Sequence, residues 1–469
     1  MDTITEQKIN WIGLEDQDSM ARHVTWRDLT AVPPSHPLLD EEWERTLQTI
    51  PVDLEETAKE TKALQRRREI KSAADLLRLV LAYSVCDWPL RLVGLWACVK
   101  DIANLSDVAV MRRLENAKAW LEGLIGAMLK ARRMGLKAAH PVRVRIVDGS
   151  SISGPGSKGT DYRLHLSLDL GGQRIDGVEV TDVSGGESLA RCPSQPGDIW
   201  LGDRGYARCP GVGSILKGEG QIVVRTGWAT FPLEHEDGQP FDLFAWFRQL
   251  PTTEPGEQTV MITTPQGRFS LRLIAQRLPQ QAAEKNRRRI RKQANRKGRT
   301  PDKRTLAAAG YIFLVTSLPA SSWTAVQVLQ LYRLRWQVEL IFKRLKSILD
   351  LDQLRAKGPA LAQTYLLGKI LAALIIETRT DQAVQRCPIL FGNTQRPISA
   401  WRWTRIGRDF LFNDVRGHIS WRHFLDRLAD LHRYLRISSR RNRQHQAAAA
   451  RVFLGRLLGP QALTPPALS

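Results

Sequence analysis

The stretch "LYRLRWQVELIFKRLKSIL", residues 331 to 349, places its apolar residues at the three-and-four spacing of an amphipathic helix. With about 100° of turn per residue, Leu331, Leu334, Val338, Ile341, Leu345, Ile348 and Leu349 gather into one stripe, the side that faces a core. Tyr332, Arg335, Glu339 and Lys346 fall on a neighbouring arc, so an aromatic, two cations and a carboxylate share one line along the helix. Trp336 is expected to wedge between helices. A solvated face can carry such charges too, and a pair spaced like Arg335 and Glu339 contributes at most about 0.5 kcal/mol.

Upstream, the first 70 residues read as a polar leader broken by prolines. From "SAADLLRLVLAYSV" to "EGLIGAMLKARR" the helical spacing predicts a bundle, assigned to residues 71–140. Within it, "RLVGLWACVKDIANLSDVAVMRRLENAKAWL" reads as helix, turn and helix, with Ser106 as N-cap. Any bundle contains such hairpins; if this one reads DNA, Arg112 and Arg113 are its exposed candidates.

At residue 141 the period falls to two. "PVRVRIVDGSS" sets Val142, Val144 and Ile146 against Arg143 and Arg145, a half-buried strand ending in Asp148. "YRLHLSLDL" and "RIDGVEVTD" follow as an antiparallel pair turning at Gly171 and Gly172. "DIWLGDRGYA" offers another strand with Asp203 at its end, followed by Arg204 and Gly205. Residues 220–280 are strand-like, "YIFLVTSLP" is a last apolar strand, and the chain from about residue 360 looks helical, with a basic region at "RYLRISSRRNR". No segment shows the roughly 20 uninterrupted apolar residues of a bilayer span, and "MDTITEQKIN" lacks the basic and apolar regions of a signal peptide. A cytoplasmic protein with no membrane partner is expected.

Charge narrows the partner. The chain carries 69 lysines and arginines against 48 acids, a formal +21, which builds a field that attracts polyanions, nucleic acid first. Eleven of those cations lie in "KNRRRIRKQANRKGRTPDKR", residues 285–304, read as a phosphate-tracking arm that includes Arg287, Arg288, Arg289 and Arg291. The five cysteines are scattered without close pairs, which argues against a zinc site or a disulfide framework.

Two strand-end aspartates and a glutamate in an amphipathic helix suit a centre in which carboxylates hold a pair of Mg²⁺ ions about 3.5 to 4 Å apart for in-line phosphodiester displacement. The spacing Y-(2)-R-(3)-E-(6)-K of Tyr332, Arg335, Glu339 and Lys346 resembles the signature of bacterial insertion-sequence transposases of the DDE type, of the insertion-sequence-four-like group with a YREK motif. "IVDGSS" and "LGDRGY" are similar to that family's two aspartate motifs, in the same order.

The resemblance implies an α/β protein: a ribonuclease H-like catalytic core of residues 141–219 and 305–360, a β-rich insertion with the basic arm at 220–304, an end-DNA-binding helical domain in front, and a C-terminal helical region, 361–469, for dimerisation and DNA contact. It implies that Asp148, Asp203 and Glu339 ligate two Mg²⁺ ions, with Mn²⁺ able to substitute. Arg335 would then pair with a phosphate, Lys346 hold the backbone and Tyr332 contact the strand near the cut, with Arg204 and Lys343 adding positive potential. The implied activity is cut-and-paste transposition by a homodimer on the terminal inverted repeats of its element, in the bacterial nucleoid: a nick, a hairpin, and joining of the 3′-hydroxyl end to target DNA. The family stabilises an unpaired base in the hairpin with an aromatic from the strand before the signature helix; here Tyr311 is the candidate, ahead of Trp323. Two other readings stay open, a catalytically silent DNA-binding protein or repressor derived from a transposase, and a structure-selective nuclease with the same centre.

Overall fold

The computed structural model describes residues 37–137, 142–386 and 399–417. Six helices come first: α1 (Pro37–Leu47), α2 (Leu54–Glu60), α3 (Ala73–Ser84), α4 (Leu90–Val99), α5 (Asp107–Asn116) and α6 (Lys118–Lys137). Side chains start three of them as the local sequence requires: Asp53, Ser72 and Ser106 each accept a backbone N–H of the first turn. The expected leader is therefore shorter. Trp43, Ile50, Ala58 and Leu64 are buried with the later helices, so residues 43 to 64 already belong to the bundle.

The strands β1 (Arg143–Ile152), β2 (Tyr162–Asp169), β3 (Arg174–Asp182) and β4 (Asp198–Gly202) follow, then α7 (Cys209–Lys217) and β5 (Gln221–Arg225). Next come α8 (Leu243–Gln249), β6 (Gly256–Thr264), β7 (Gly267–Arg277), α9 (Gln280–Arg296), α10 (Lys303–Ala308) and β8 (Tyr311–Thr316). All eight strands form one mixed sheet in the order β3-β2-β1-β4-β5-β8-β7-β6. β1, β4 and β5 run parallel, while β2 and β8 pair antiparallel to β1 and β5.

Two expectations change here. β5 pairs with β4 inside the central sheet, so a boundary at residue 220 assigns a core strand to the insertion, and the inserted strands β6 and β7 extend the same sheet through β8. The basic arm is helical, forming α9 and α10.

β1 is covered on both faces. Ile146 lies in the core shared with the helices, whereas Val147 joins Trp200, Tyr206 and Phe313 in a second core on the other face. Arg145, expected to face solvent, is 2% exposed: it pairs with Asp176 at 2.6 Å and Asp198 at 3.4 Å and lies over the Trp200 ring at 4.0 Å. A buried guanidinium persists only with such partners.

The chain closes with α11 (Ala325–Arg333), α12 (Gln337–Ile348), α13 (Pro359–Arg386) and α14 (Ala400–Arg416). α13 is long and apolar enough by composition to cross a membrane, yet 83% of its most apolar window is buried in this protein. It packs on α3, α5, α6 and β3, and α14 packs on α1, α3 and α13. Arg132 of α6 ties these layers, donating to Glu377 at 2.7 Å, to the Leu374 carbonyl at 2.6 Å and to the Ile175 carbonyl at 3.2 Å. Arg78 of α3 donates to the Val415 and Asp414 carbonyls at the end of α14. The front and rear helical regions, expected as separate domains, thus share one core. The "RYLRISSRRNR" region lies outside the described residues.

Candidate active site

The parallel register of β1 and β4 pairs Ile146 with Leu201. Carried two residues on, it sets Asp148 level with Asp203 at the carboxyl end of β4. β1 itself continues to Ile152 by pairing with β2, so Asp148 lies within its strand and at the end only of its pairing with β4. Asp203 caps the 3₁₀ turn of Arg204–Tyr206, accepting the Gly205 N–H at 2.8 Å. Asp148 accepts the Gly149 N–H at 2.8 Å.

Residues 331–349, expected as one helix, form two with a 3₁₀ turn, Leu334–Trp336, between them. The break turns Leu334 and Trp336 outward, 40% and 50% exposed, instead of into a stripe or a helix junction. It also swings Arg335 towards the sheet. The Arg335 guanidinium stands 3.4 Å from the Asp148 carboxylate and is ion-paired with Glu339. Tyr332 is buried within electrostatic reach of Arg335, Arg225 and Asp203. Tyr332, Arg335 and Glu339 therefore meet the first aspartate in one place.

The electrostatics there are strained by like charge. Burial pushes the Asp148 carboxyl up to about 6; the Gly149 N–H opposes that shift, Asp203 adds to it, Arg335 opposes it and Glu187 adds to it. Glu187 was not singled out in the sequence. Its carboxyl is also raised, first by burial and then by Asp203. Arg204 is exposed, within electrostatic reach of Arg225, Asp203, Tyr332 and Arg289, which sets a positive group beside the acids and links it to α9. Arg225, at the end of β5, was missed as well.

Other expected residues divide. Lys343 lies over the Trp401 ring at 5.9 Å, engaged with α14. Lys346 makes no ion pair among the described residues, three residues further along the same helix. Arg287 is tied to the Leu306 carbonyl at 3.2 Å and to Glu284 at 3.7 Å, while Arg288, 79% exposed, reaches Glu284 only at 3.8 Å. Arg291 also pairs with Glu284, at 3.3 Å. Tyr311 is stacked on Phe247, with ring centroids 4.3 Å apart and planes 13° apart, and Arg277 lies over its ring at 5.8 Å. Tyr311 also lines a cleft of about 930 Å³ with Arg248, Arg277, Arg287 and Arg333. Trp323 packs against the core.

Among the described residues, no three histidine, cysteine or acidic side chains converge closely enough to hold a metal ion together. Asp148 and Asp203 stand side by side, while the Glu339 carboxylate, 57% exposed, is held by Arg335. The donors are all carboxylate oxygens, the set that suits a hard divalent cation.

The comparisons with known proteins agree with this chemistry. A family model described as the transposase DDE domain matches residues 140–375. The chain is 40% identical over 333 residues to the putative transposase InsL of insertion sequence element IS186A from Escherichia coli K12, covering 70% of this chain and 90% of that one. It is equally similar, 40% over 334 residues and the same coverage, to the transposase of insertion sequence element IS421 from Escherichia coli. A transposase of insertion sequence element IS231F from Bacillus thuringiensis subsp. israelensis is 25% identical over 405 residues, 77% of this chain and 83% of that one. A cryo-EM structure of the piggyBac transposase synaptic complex with hairpin DNA covers 84% of each chain at 9% identity and a TM-score of 0.41, too remote a likeness to carry an argument. The matched domain contains Asp148, Asp203 and Glu339 and spans the whole sheet, and this chain belongs to the insertion-sequence transposases with a DDE domain, the enzymes of DNA transposition.

Proposed function

We propose that the chain binds the terminal inverted repeats of its own insertion sequence, cuts the DNA there by two-metal-ion phosphodiester hydrolysis, and joins the freed 3′-hydroxyl to target DNA. The observation that carries this reading is the meeting of Asp148, Asp203 and the Arg335–Glu339 pair at the carboxyl ends of parallel strands, where open α/β sheets place their ligands. We read β1 to β5 with α12 as a ribonuclease H-like core and β6 to α10 as the inserted segment.

A DDE domain implies dependence on a divalent metal; we assign two Mg²⁺ ions, replaceable by Mn²⁺, to Asp148, Asp203 and Glu339. Bound there, the ions polarise the scissile phosphate and activate the attacking oxygen. The chain's own part is to align the strand. Arg335 changes partner from carboxylate to phosphate, for which its planar fork is suited. Lys346, Lys343, Arg204, Arg289 and the outward α9 arginines then hold the backbone. Tyr332 supports Arg335 from the core side.

The route through a hairpin rests on the family resemblance, with Tyr311, stacked on Phe247, in the wall of the cleft. The protein works on DNA in the cytoplasm, at the nucleoid, as a homodimer bridging two ends. α13 is buried in its own chain as far as Ile376, so we place the subunit contact in the rest of the C-terminal region.

The test is incubation of the protein with duplex carrying the element's end and Mg²⁺ or Mn²⁺. Nicked and joined products are expected from the wild type and are expected to vanish in Asp148→Asn, Asp203→Asn and Glu339→Gln, with end binding retained. A wild type that binds the end and never cuts it supports the repressor reading instead.

A further inference from the structure

Glu187 lies in "GGESL", the link between β3 and β4, and its carboxylate is seated against both aspartate turns at once. A Cβ built on Gly149 would come 3.0 Å from Glu187 Oε1, and one on Gly205 would come 2.0 Å from Glu187 Oε2. These glycines are the residues whose N–H groups are given to Asp148 and Asp203. Any side chain at position 205 would expel the carboxylate, so the glycine there makes room for it.

Nothing among the described residues satisfies that carboxylate: it forms no hydrogen bond or ion pair with them, and Arg163 and Arg208 act on it only at a distance. The Tyr206 hydroxyl, fully buried in the same turn and within electrostatic reach of Asp148, Glu187 and Asp203, is likewise unpartnered. Charge count points the same way. Arg335 cancels one negative charge of the Asp148, Asp203 and Glu339 set, and Glu187 restores it.

We propose that Glu187 is a fourth carboxylate of the acidic centre, a positioning residue that raises its affinity for the divalent cation carried by Asp148 and Asp203. This rests on the metal-dependent reading above. Glu187 does not touch the scissile phosphate; it acts through the cation and the two glycine turns.

The test is titration of the full-length protein with Mn²⁺, reading free Mn²⁺ by electron paramagnetic resonance without DNA, together with the Mn²⁺ dependence of end nicking. Glu187→Gln, nearly isosteric, is expected to bind Mn²⁺ about tenfold more weakly and to need correspondingly more Mn²⁺ for half-maximal nicking. Glu187→Asp is expected to recover part of the loss. Because the substitution removes repulsion, Glu187→Gln should melt no lower than wild type without cation and gain less from added Mn²⁺.

Wild-type Mn²⁺ affinity in Glu187→Gln overturns the proposal and leaves the transposase reading intact. So does a lowered melting temperature or maximal rate with an unchanged Mn²⁺ dependence, the pattern of a packing residue. A wild type that retains no more Mn²⁺ than Asp203→Asn overturns both this proposal and the metal centre it rests on.

Discussion

The Arg335 guanidinium reaches from the junction of α11 and α12 to within 3.4 Å of the Asp148 carboxylate on β1. This contact, with the Glu339 pair beside it, joins the signature helix to the first aspartate strand. Among the described residues, Arg335 is the one cation at contact distance from Asp148.

Replacing Arg335 should therefore damage chemistry more than folding. Arg335→Ala is expected to slow nicking roughly a hundredfold, as loss of a preorganised charge does at such centres. Arg335→Lys should recover little, since an ammonium lacks the fork that serves two partners. Single-turnover nicking with saturating cation checks both; wild-type rates in Arg335→Lys would remove the fork from the account.

The α9 arginines should separate into two classes. Arg288 projects into solvent, and its neutralisation is expected to lower the slope of log affinity against log salt by about 0.9 if it meets a phosphate. Arg287, tied to the Leu306 carbonyl, should instead lower the melting temperature. Binding isotherms at several salt concentrations, with melts of Arg288→Gln and Arg287→Gln, decide. An unchanged salt slope in Arg288→Gln would count against the arm.

Lys369 of α13 is buried and donates to the Leu349 and Asp350 carbonyls at 2.7 and 2.9 Å, at the end of α12. Burial lowers its ammonium to about 8 from 10.5. The unfolded chain then binds more protons than the folded one between those values, so this residue's contribution to stability rises with pH from about 8 to 10.5 and is unfavourable below. Denaturant melts of wild type and Lys369→Met across that range should show a steeper rise for the wild type; parallel curves would refute it.

The pair Arg145–Asp198 lies wholly inside the sheet, with both side chains almost completely buried. Asp198→Ala leaves two guanidiniums, Arg143 and Arg145, short of a partner, at an expected cost of about 3 to 5 kcal/mol. Equilibrium denaturation measures it, and a loss below about 1 kcal/mol would show that water or movement relieves the charges.

Local pattern was enough for the elements that carry their own signal. The Ser106 cap, the β2–β3 hairpin and the strand before Asp203 follow from spacing and turn residues. The partition into domains was not legible. Residues 43 to 64 look polar because charged positions outnumber the few apolar ones that are buried, and α13 shows no sign of which distant helices it packs on. Alternation also misplaced Arg145, because a strand covered on both faces buries its polar side whenever partners are available.

Within the site, the spacing of a family signature singled out the acids and the tetrad as candidates, but it gave no sign of their geometry. The 3₁₀ turn at Leu334–Trp336 barely alters residue periodicity, yet it decides where Arg335 points and leaves Trp336 outside. Glu187 is one glutamate in a glycine-rich link, and only the folded positions of Gly149 and Gly205 single it out.

The burial of α13 among α3, α5 and α6 has a consequence for how the gene can decay. The front of the molecule completes its interior with a segment the ribosome delivers only after both aspartate strands have been made. A copy interrupted by an early stop codon would leave its amino-terminal helices with an uncovered apolar surface, prey to proteases. Such a remnant is a poor source of a dominant inhibitor competing for the element's ends.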